Sequence, residues 1–164
     1  MESYHPKNST REITDKNAIT SLLKGGNYCV IALCYNDTPY IVTLSYGYDE
    51  KNNCLYFHGG KEGHKTDIIK KNPNACATII KDNGYLDEHC DHDYETLVIR
   101  GKISILDDLN AKKKGLEVIF RHLASKPESI ISRIFGNEEL LGKVSVMRFD
   151  MDSIVGKKYV EKQP

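Results

Sequence analysis

The segment from residue 55 to residue 65, LYFHGGKEGHK, combines the residue types that bind a phosphate or another anion. A strand-like run ends at His58, three glycines loosen the backbone, and a helical pattern begins among basic residues. Backbone N–H groups at the start of a helix carry partial positive charge, and Lys65 with His64 or Lys61 would add full charges. An ordinary solvated turn, with glycines for its bends, is the alternative interpretation. The residues alone leave both interpretations open.

Motifs of the common nucleotide-binding and hydrolytic classes are missing from the sequence. It contains no G-x-G-x-x-G and no G-x-x-x-x-G-K-[ST], so a bound phosphate would be held differently from that of dehydrogenases and NTPases. G-x-S-x-G and H-E-x-x-H are also absent, which disfavours a hydrolase or a zinc protease. Residues 89–93, HCDHD, offer metal-ligand types, but no clearly spaced second pair accompanies them. We therefore predict a solvated loop that covers a pocket at these residues, and no metal.

Charge and composition disfavour several classes of partner. The chain has 23 basic and 23 acidic residues, so no net field attracts a polyanion. No stretch approaches the roughly 18 consecutive apolar residues of a membrane span, and the polar start lacks the apolar core of a signal peptide. Five cysteines without a C-x-x-C pair are expected to be reduced thiols. We expect a cytoplasmic protein with no membrane and no nucleic-acid partner.

The order of the predicted elements favours one domain over residues 1–164, with residues 1–13 as a flexible N-terminal arm. Thr14 and Asp15 cap a short helix, and the apolar runs that follow it indicate an antiparallel meander. Gly101 interrupts a later run as a bulge would. Because strands and helices do not alternate regularly, we predict a small barrel of about six strands with peripheral helices. The predicted strands cover residues 28–35, 40–48, 54–58, 75–81, 94–106 and 144–149, and the later helices cover 62–71 and 108–125.

Several runs of the sequence, in order and spacing, resemble a known group of flavoproteins. PYIVTLSYGY at residues 39–48 is followed by LYFHG at 55–59, GHK at 63–65 and YETLVIRGK at 94–102. This pattern looks like the pyridoxamine 5'-phosphate oxidase-like superfamily, and particularly its nitroimidazole-resistance branch. The resemblance runs over roughly residues 14–160. It implies a mainly β fold, a six-stranded antiparallel split barrel with flanking helices that binds FMN.

The resemblance also implies which residues contact the cofactor. Lys65 and His64 match the basic pair that grips the FMN phosphate, although the oxidases proper carry arginine where His64 stands. His58 matches a histidine near the flavin, where it could donate a proton or anchor a ligand, and a satisfied structural histidine is the alternative. Thr96 matches a polar flavin contact, and a cross-strand threonine is the alternative. The full predicted set is Thr43, Leu44, Ser45, His58, Gly59, Lys61, His64, Lys65 and Thr96.

The function implied by the resemblance is that of an FMN-dependent oxidoreductase. Members of the group are typically homodimers with FMN at the subunit interface, and this chain is expected to form the same assembly. We predict that a nicotinamide donor reduces a small acceptor, such as a nitroaromatic, through the flavin. Pyridoxamine 5'-phosphate oxidase activity is disfavoured because Arg148 stands alone near the C-terminus. The alternative is a flavin- or heme-binding protein without turnover, such as a sensor or a store.

Overall fold

The computed structural model describes residues 7–160, which form seven β-strands, five α-helices and two short 3-10 helices. No helix in this range is both long and apolar enough to cross a membrane. The strands are β1 (Glu12–Ile13), β2 (Tyr28–Tyr35), β3 (Thr38–Asp49), β4 (Cys54–Gly60), β5 (Asn74–Leu86), β6 (Asp91–Ile105) and β7 (Val144–Lys158). The helices are α1 (Lys16–Gly25), α2 (His64–Lys71), α3 (Leu109–Leu123), α4 (Pro127–Phe135) and α5 (Glu138–Lys143).

The strands form one antiparallel sheet that closes into a barrel. The strand order is β1-β7-β4-β3-β2-β5-β6, and β7 also pairs with β6. Because β7 borders both β4 and β6, the six strands β2 to β7 close into a ring, but β3 pairs with β4 only over Tyr46–Asp49, so the barrel is split there. The fifteen-residue β7 makes this closure possible, since its first half pairs with β4 and most of its length pairs with β6.

The strand count is seven in the described residues, which corrects the six predicted from the sequence. The additional strand is β1, whose Glu12 and Ile13 pair with Lys157 and Gly156 along the part of β7 that β4 does not reach. The predicted flexible arm is therefore wrong for Glu12 and Ile13, and Ile13 is buried. Two residues carry no periodic pattern, so the sequence could not reveal this strand. Residues 1–6 of the predicted arm lie outside the described residues.

The barrel interior is filled by the inward positions of each strand and plugged by two helices. On β2 the burial alternates, so Cys29, Ile31 and Leu33 lie inside while their neighbours face outward. Leu23 of α1 and Ile68 of α2 are almost fully buried against this core. Burial of each such aliphatic side chain is worth about 1.5 to 3 kcal/mol. The barrel predicted from alternating patterns is confirmed.

Helix α3 covers the outer surface of β3 and β4 through a second apolar cluster. Tyr56 of β4 packs there with Leu116 and Ile119 of α3. A Cβ atom on Gly47 would lie 2.6 Å from the Cα of Ile119, and one on Gly115 would lie 2.8 Å from the Tyr56 ring. These two glycines therefore let the helix and the strands approach at backbone distance.

The opposite outer surface, on β2, β5, β6 and the neighbouring part of β3, leaves large apolar side chains exposed, and α1 borders it beside Tyr28 and Ile80. Tyr28, Ile41 and Ile80 point outward there and are 64%, 65% and 61% exposed. We call this surface the bare face. Large apolar side chains grouped on one face of a sheet are typical of a contact surface.

Strands β5 and β6 extend into a long hairpin where the sequence indicated a loop. β5 continues to Leu86 and β6 begins at Asp91, with a bulge between Asp82 and Gly84. The loop predicted at residues 89–93 is therefore wrong for residues 91–93, which belong to β6, whereas His89 and Cys90 lie in the exposed turn. An exposed ribbon of polar residues has no apolar alternation to mark it. The predicted bulge at Gly101 is confirmed by a register shift between Arg100 and Gly101.

Candidate functional site

The candidate site lies where β3 and β4 separate. Their register runs from Asp49 opposite Cys54 to Tyr46 opposite Phe57 and ends there. Residues 43–45 of β3, which precede Tyr46, and residues 58–59 of β4, which follow Phe57, lie directly beyond this last pair. The splitting of the two strands therefore brings both predicted segments to one opening of the barrel wall.

The predicted β3 residues divide between the two faces of the sheet. Leu44 packs against the barrel core, whereas Thr43 and Ser45 point outward, as the alternation of a strand requires. Thr43 stands opposite Val30, and Ser45 stands opposite Tyr28, at the edge of the bare face. Leu44 can thus offer a ligand only its main chain, while the two hydroxyl groups are accessible.

Lys65 folds back onto the end of β4. A Cβ atom on Gly59 would lie 3.0 Å from the Lys65 Nζ and 3.2 Å from its Cε, so the lysine side chain occupies the space that a side chain at residue 59 would need. Lys65 is half-buried, and no carboxylate among residues 7–160 lies within ion-pair distance of it. A half-buried cation without a carboxylate partner is suited to an anionic ligand.

The turn before α2 is shaped to present the start of that helix. Gly63 has φ of +130°, a conformation that favours glycine. The buried Thr66 hydroxyl donates to the Gly63 carbonyl at 2.6 Å, and the amides of Thr66 and Asp67 donate to the same oxygen. The amides of His64 and Lys65 precede these bonds, at the positive end of the helix dipole. The sequence analysis did not single out Thr66, because the capping-box pattern has serine or threonine at the N-cap, which is Gly63 here, and not at the third helical position.

The two remaining basic residues of the turn are exposed. His64 places its ring edge-on against Tyr40, with the ring centroids 4.9 Å apart. Lys61 lies in the turn between β4 and α2. His58 is also exposed, opposite Val146, and partial desolvation lowers the pKa of its imidazole from the ordinary value of 6.5. A neutral imidazole at His58 can donate or accept one hydrogen bond but does not supply a fixed charge.

Thr96 lies apart from the other predicted residues within one chain. Its hydroxyl donates to the Ile79 carbonyl at 3.0 Å and lies 3.1 Å from the Thr78 hydroxyl. Strands β2 and β5 separate β6 from β3, a distance of about 14 Å at the usual strand spacing. Thr96 is thus a cross-strand threonine within the chain, on the outward side of the bare face opposite Ile80.

The histidine-rich segment at residues 89–93 belongs to the tip of the β5–β6 hairpin. Cys90 adopts a left-handed conformation with φ of +48°, and His92 Nε2 lies 3.5 Å from an Asp82 oxygen. Within the described range, no group of three or more His, Cys, Asp or Glu side chains is arranged to hold a metal ion. The segment therefore offers no assembled metal centre there.

Comparison with known proteins agrees with the split barrel. A family model described as pyridoxamine 5'-phosphate oxidase matches residues 15–158. The chain belongs to the pyridoxamine 5'-phosphate oxidase family. The family resemblance predicted from the sequence is confirmed, and the fold is that of a flavin-binding family. No curated protein matches the chain.

Solved structures with the same fold include flavoproteins of several kinds. A candidate 5-nitroimidazole antibiotic resistance protein from Bacteroides thetaiotaomicron VPI-5482 is 25% identical, with 96% of this chain and 95% of that chain covered and a TM-score of 0.75. The flavocytochrome Anf3 from Azotobacter vinelandii is 11% identical, with 96% and 73% covered and a TM-score of 0.78. An FAD-binding protein from Mesorhizobium loti is 18% identical, with 92% and 97% covered and a TM-score of 0.66.

Proposed function

We propose that the protein binds FMN with its phosphate at the start of α2. The observation that carries this proposal is the half-buried Lys65 side chain, which lies against Gly59 without a carboxylate partner among residues 7–160. The leading amides of α2 and the exposed His64 side chain belong to the same helix start. A dianionic phosphate fits this group of donors better than a carboxylate does, since it accepts from several at once. Thr43 and Ser45 would then border the flavin ring.

We propose that two copies pair through the bare face and complete the site. Two identical sheets that pack face to face are related by a two-fold axis in the plane of contact. An axis parallel to the strands would lay the β6 edge of one copy over the β3 edge of the other. Thr96 of the partner subunit would then approach Thr43 and Ser45, although about 14 Å separates them within a chain. This assembly also covers Tyr28, Ile41 and Ile80.

The activity that we propose is an FMN-dependent reductase. Bound FMN would supply two-electron transfer from a nicotinamide to a small acceptor, and reduction of a nitro group to a nitroso group with release of water consumes two electrons and two protons. The chain would hold the phosphate through Lys65 and direct a hydrogen bond toward the ring from His58. Five cysteines without a disulfide accord with a cytoplasmic location, where nicotinamides are also present.

The phosphate position is tested by comparing FMN with riboflavin, which lacks the phosphate. Lys65→Ala should weaken FMN binding at least tenfold, about 1.4 kcal/mol, and leave riboflavin binding unchanged. Lys70→Ala, a change of an exposed lysine on the same helix, should alter FMN binding less than about twofold. The affinities are measured by quenching of flavin fluorescence. Equal loss of both ligands in Lys65→Ala would argue against a phosphate contact, and no flavin retention by the unaltered protein would reject the cofactor.

Steady-state oxidation of NADH or NADPH separates an enzyme from a binding protein. The FMN-loaded protein should sustain nicotinamide oxidation when a nitroaromatic acceptor is present and slow down when the acceptor is omitted. Retained FMN without sustained oxidation would favour a sensor or a store. A Soret band in place of the flavin bands would direct attention to His58 as a heme ligand.

A further inference from the structure

Lys157 is a cation of β7 that forms an ion pair with no carboxylate among residues 7–160. Its side chain is half-buried, and its Nζ lies 5.6 Å from the centroid of the Tyr94 ring. Glu12 stands opposite Lys157 on β1, but its carboxylate is not within ion-pair distance. A half-buried ammonium group that rests on an aromatic ring is suited to a ligand that carries or gains negative charge.

The strand register places Lys157 in the same row as the proposed flavin contacts. Thr96 pairs with Lys157 on one side and with Ile80 on the other. Tyr28 pairs with Ser45, and the register between β2 and β5 brings Tyr28 level with Ile80. Residues that pair across strands share one face of a sheet, so Lys157 points outward together with Thr96. One row across the outer surface therefore runs from Ser45 at β3 to Lys157 at β7.

The proposed dimer would carry Lys157 to the flavin of the other copy. An axis parallel to the strands keeps each row at its own level, so the end of the row at Thr96 and Lys157 would lie over its beginning at Ser45. Thr96 of the partner subunit would lie over β3. Lys157 of the partner subunit, one strand further along, would lie about 5 Å beyond the edge of β3. That position is over the opening where β3 and β4 separate.

From this placement we infer that Lys157 of the partner subunit supplies a positive charge beside the flavin ring. The inference rests on the proposed FMN site and the proposed dimer, and it adds a residue that tunes the cofactor. Transfer of a hydride from a nicotinamide, which is two electrons and one proton, leaves one negative charge on the reduced ring. An ammonium group beside the ring stabilises the reduced form more than the oxidised form and therefore raises the reduction potential.

The reduction potential of bound FMN measures this charge without turnover. Lys157→Met removes the charge and keeps a flexible, unbranched side chain, whereas Lys157→Arg keeps the charge. Lys158→Met is the matched control, because Lys158 is the exposed neighbour that points to the opposite side of β7. Each FMN-loaded protein is titrated in a spectroelectrochemical cell with a reference dye. Light scattering verifies that the variants keep the oligomeric state of the unaltered protein.

The protein should lose part of its preference for reduced FMN when the charge is removed. Lys157→Met should reduce the ratio of the affinities for reduced and oxidised FMN at least tenfold, which lowers the potential of this two-electron couple by about 30 mV. Lys157→Arg and Lys158→Met should change the ratio less than about twofold. An unchanged ratio in Lys157→Met, or equal losses in Lys157→Met and Lys158→Met, would overturn the inference.

A mixed dimer tests whether the charge comes from the other subunit. One copy carries Lys65→Ala, which removes the proposed phosphate contact, and the other carries Lys157→Met. Different affinity tags allow the mixed dimer to be isolated. FMN should bind at the intact Lys65, where the partner's Lys157 is also intact, so its potential should equal that of the unaltered protein. A potential as low as that of the Lys157→Met homodimer would show that Lys157 acts within its own chain and would overturn the inference.

The outcomes separate this inference from the proposals on which it rests. If the unaltered protein retains FMN as a dimer and Lys157→Met leaves the potential unchanged, the inference alone fails. If a monomer retains FMN, the dimer proposal and this inference fail, and the cofactor proposal stands. If the protein does not retain FMN, the cofactor proposal fails and overturns the inference with it.

Discussion

The two outer surfaces of the barrel differ in how their apolar side chains are covered. On one side, α3 lies against β3 and β4, and paired glycines and aromatic rings fit helix and strands together at backbone distance. On the other side, the bare face presents Tyr28, Ile41 and Ile80 to solvent. The covered side is completed within one chain, whereas the bare face is suited to a second copy. The candidate site lies where the edge of the bare face meets the split between β3 and β4.

The covered side should be the more sensitive to a single added methyl group. In Gly47→Ala the new Cβ would lie 2.6 Å from the Ile119 backbone, which cannot move like the end of a side chain. We expect a loss of about 3 kcal/mol in the free energy of unfolding, measured by urea denaturation. The control is Gly142→Ala, where nothing lies within 4 Å, and it should gain at most about 1 kcal/mol. Equal stabilities of the two variants would show that α3 does not dock as described.

A substitution on the bare face should weaken the proposed dimer rather than change the stability of the fold. Ile80→Asp places a charge in the middle of the proposed contact and should raise the dissociation constant of the dimer at least tenfold, about 1.4 kcal/mol. Leu109→Asp is the control, because Leu109 is 50% exposed on α3, on the covered side. Sedimentation analysis over a range of concentrations measures both. If the unaltered protein is a monomer, or if Leu109→Asp is the more disruptive change, the bare face is not the dimer contact.

Cysteine reactivity distinguishes the buried positions, inside the barrel and under α3, from the bare face. Burial raises the pKa of the Cys29 thiol to about 12 and also raises the pKa of Cys54, so neither should react with iodoacetamide in the native protein. Cys90 is exposed at the hairpin tip and should react. Cys34 is exposed on the bare face, so formation of the proposed dimer should slow its reaction with iodoacetamide. Ile80→Asp should restore the rate of this reaction. Mass spectrometry of the labelled peptides measures the extent of reaction at each cysteine. Fast labelling of Cys34 in a verified dimer would contradict the proposed contact.

The smallest effect concerns His58, at the rim of the covered side. Desolvation lowers its pKa from 6.5, so the unfolded chain takes up the proton first as the pH falls. The contribution of His58 to the free energy of unfolding should therefore decrease from about pH 7 down to the lowered pKa and stay constant below it. The difference in the free energy of unfolding between the protein and His58→Gln, measured by urea denaturation, should change with pH in this window only. A difference that is the same at every pH would mean that His58 is not desolvated.

The sequence predicted the local elements and the turn that begins α2, because each depends on neighbours in the chain. The alternation on β2 and the cap at Asp15 both reappear in the structure, where the Asp15 carboxylate accepts from the Asn17 amide. Lys65 and Gly59 are six positions apart, so a turn of the predicted type brings them together. The family resemblance then supplied the split form of the barrel, which periodicity alone does not give.

Only the tertiary structure decided how distant segments meet. The closure of the barrel depends on β7 pairing with β4 and β6 at once. Glu12 and Ile13 can pair with the last part of β7 because β4 pairs only with its first half. The separation of Thr96 from Ser45 follows from the strand order β3-β2-β5-β6. Such contacts join residues far apart in the chain, so no local spacing encodes them. They form because burying the inward side chains of all six barrel strands stabilises one closed arrangement of the sheet.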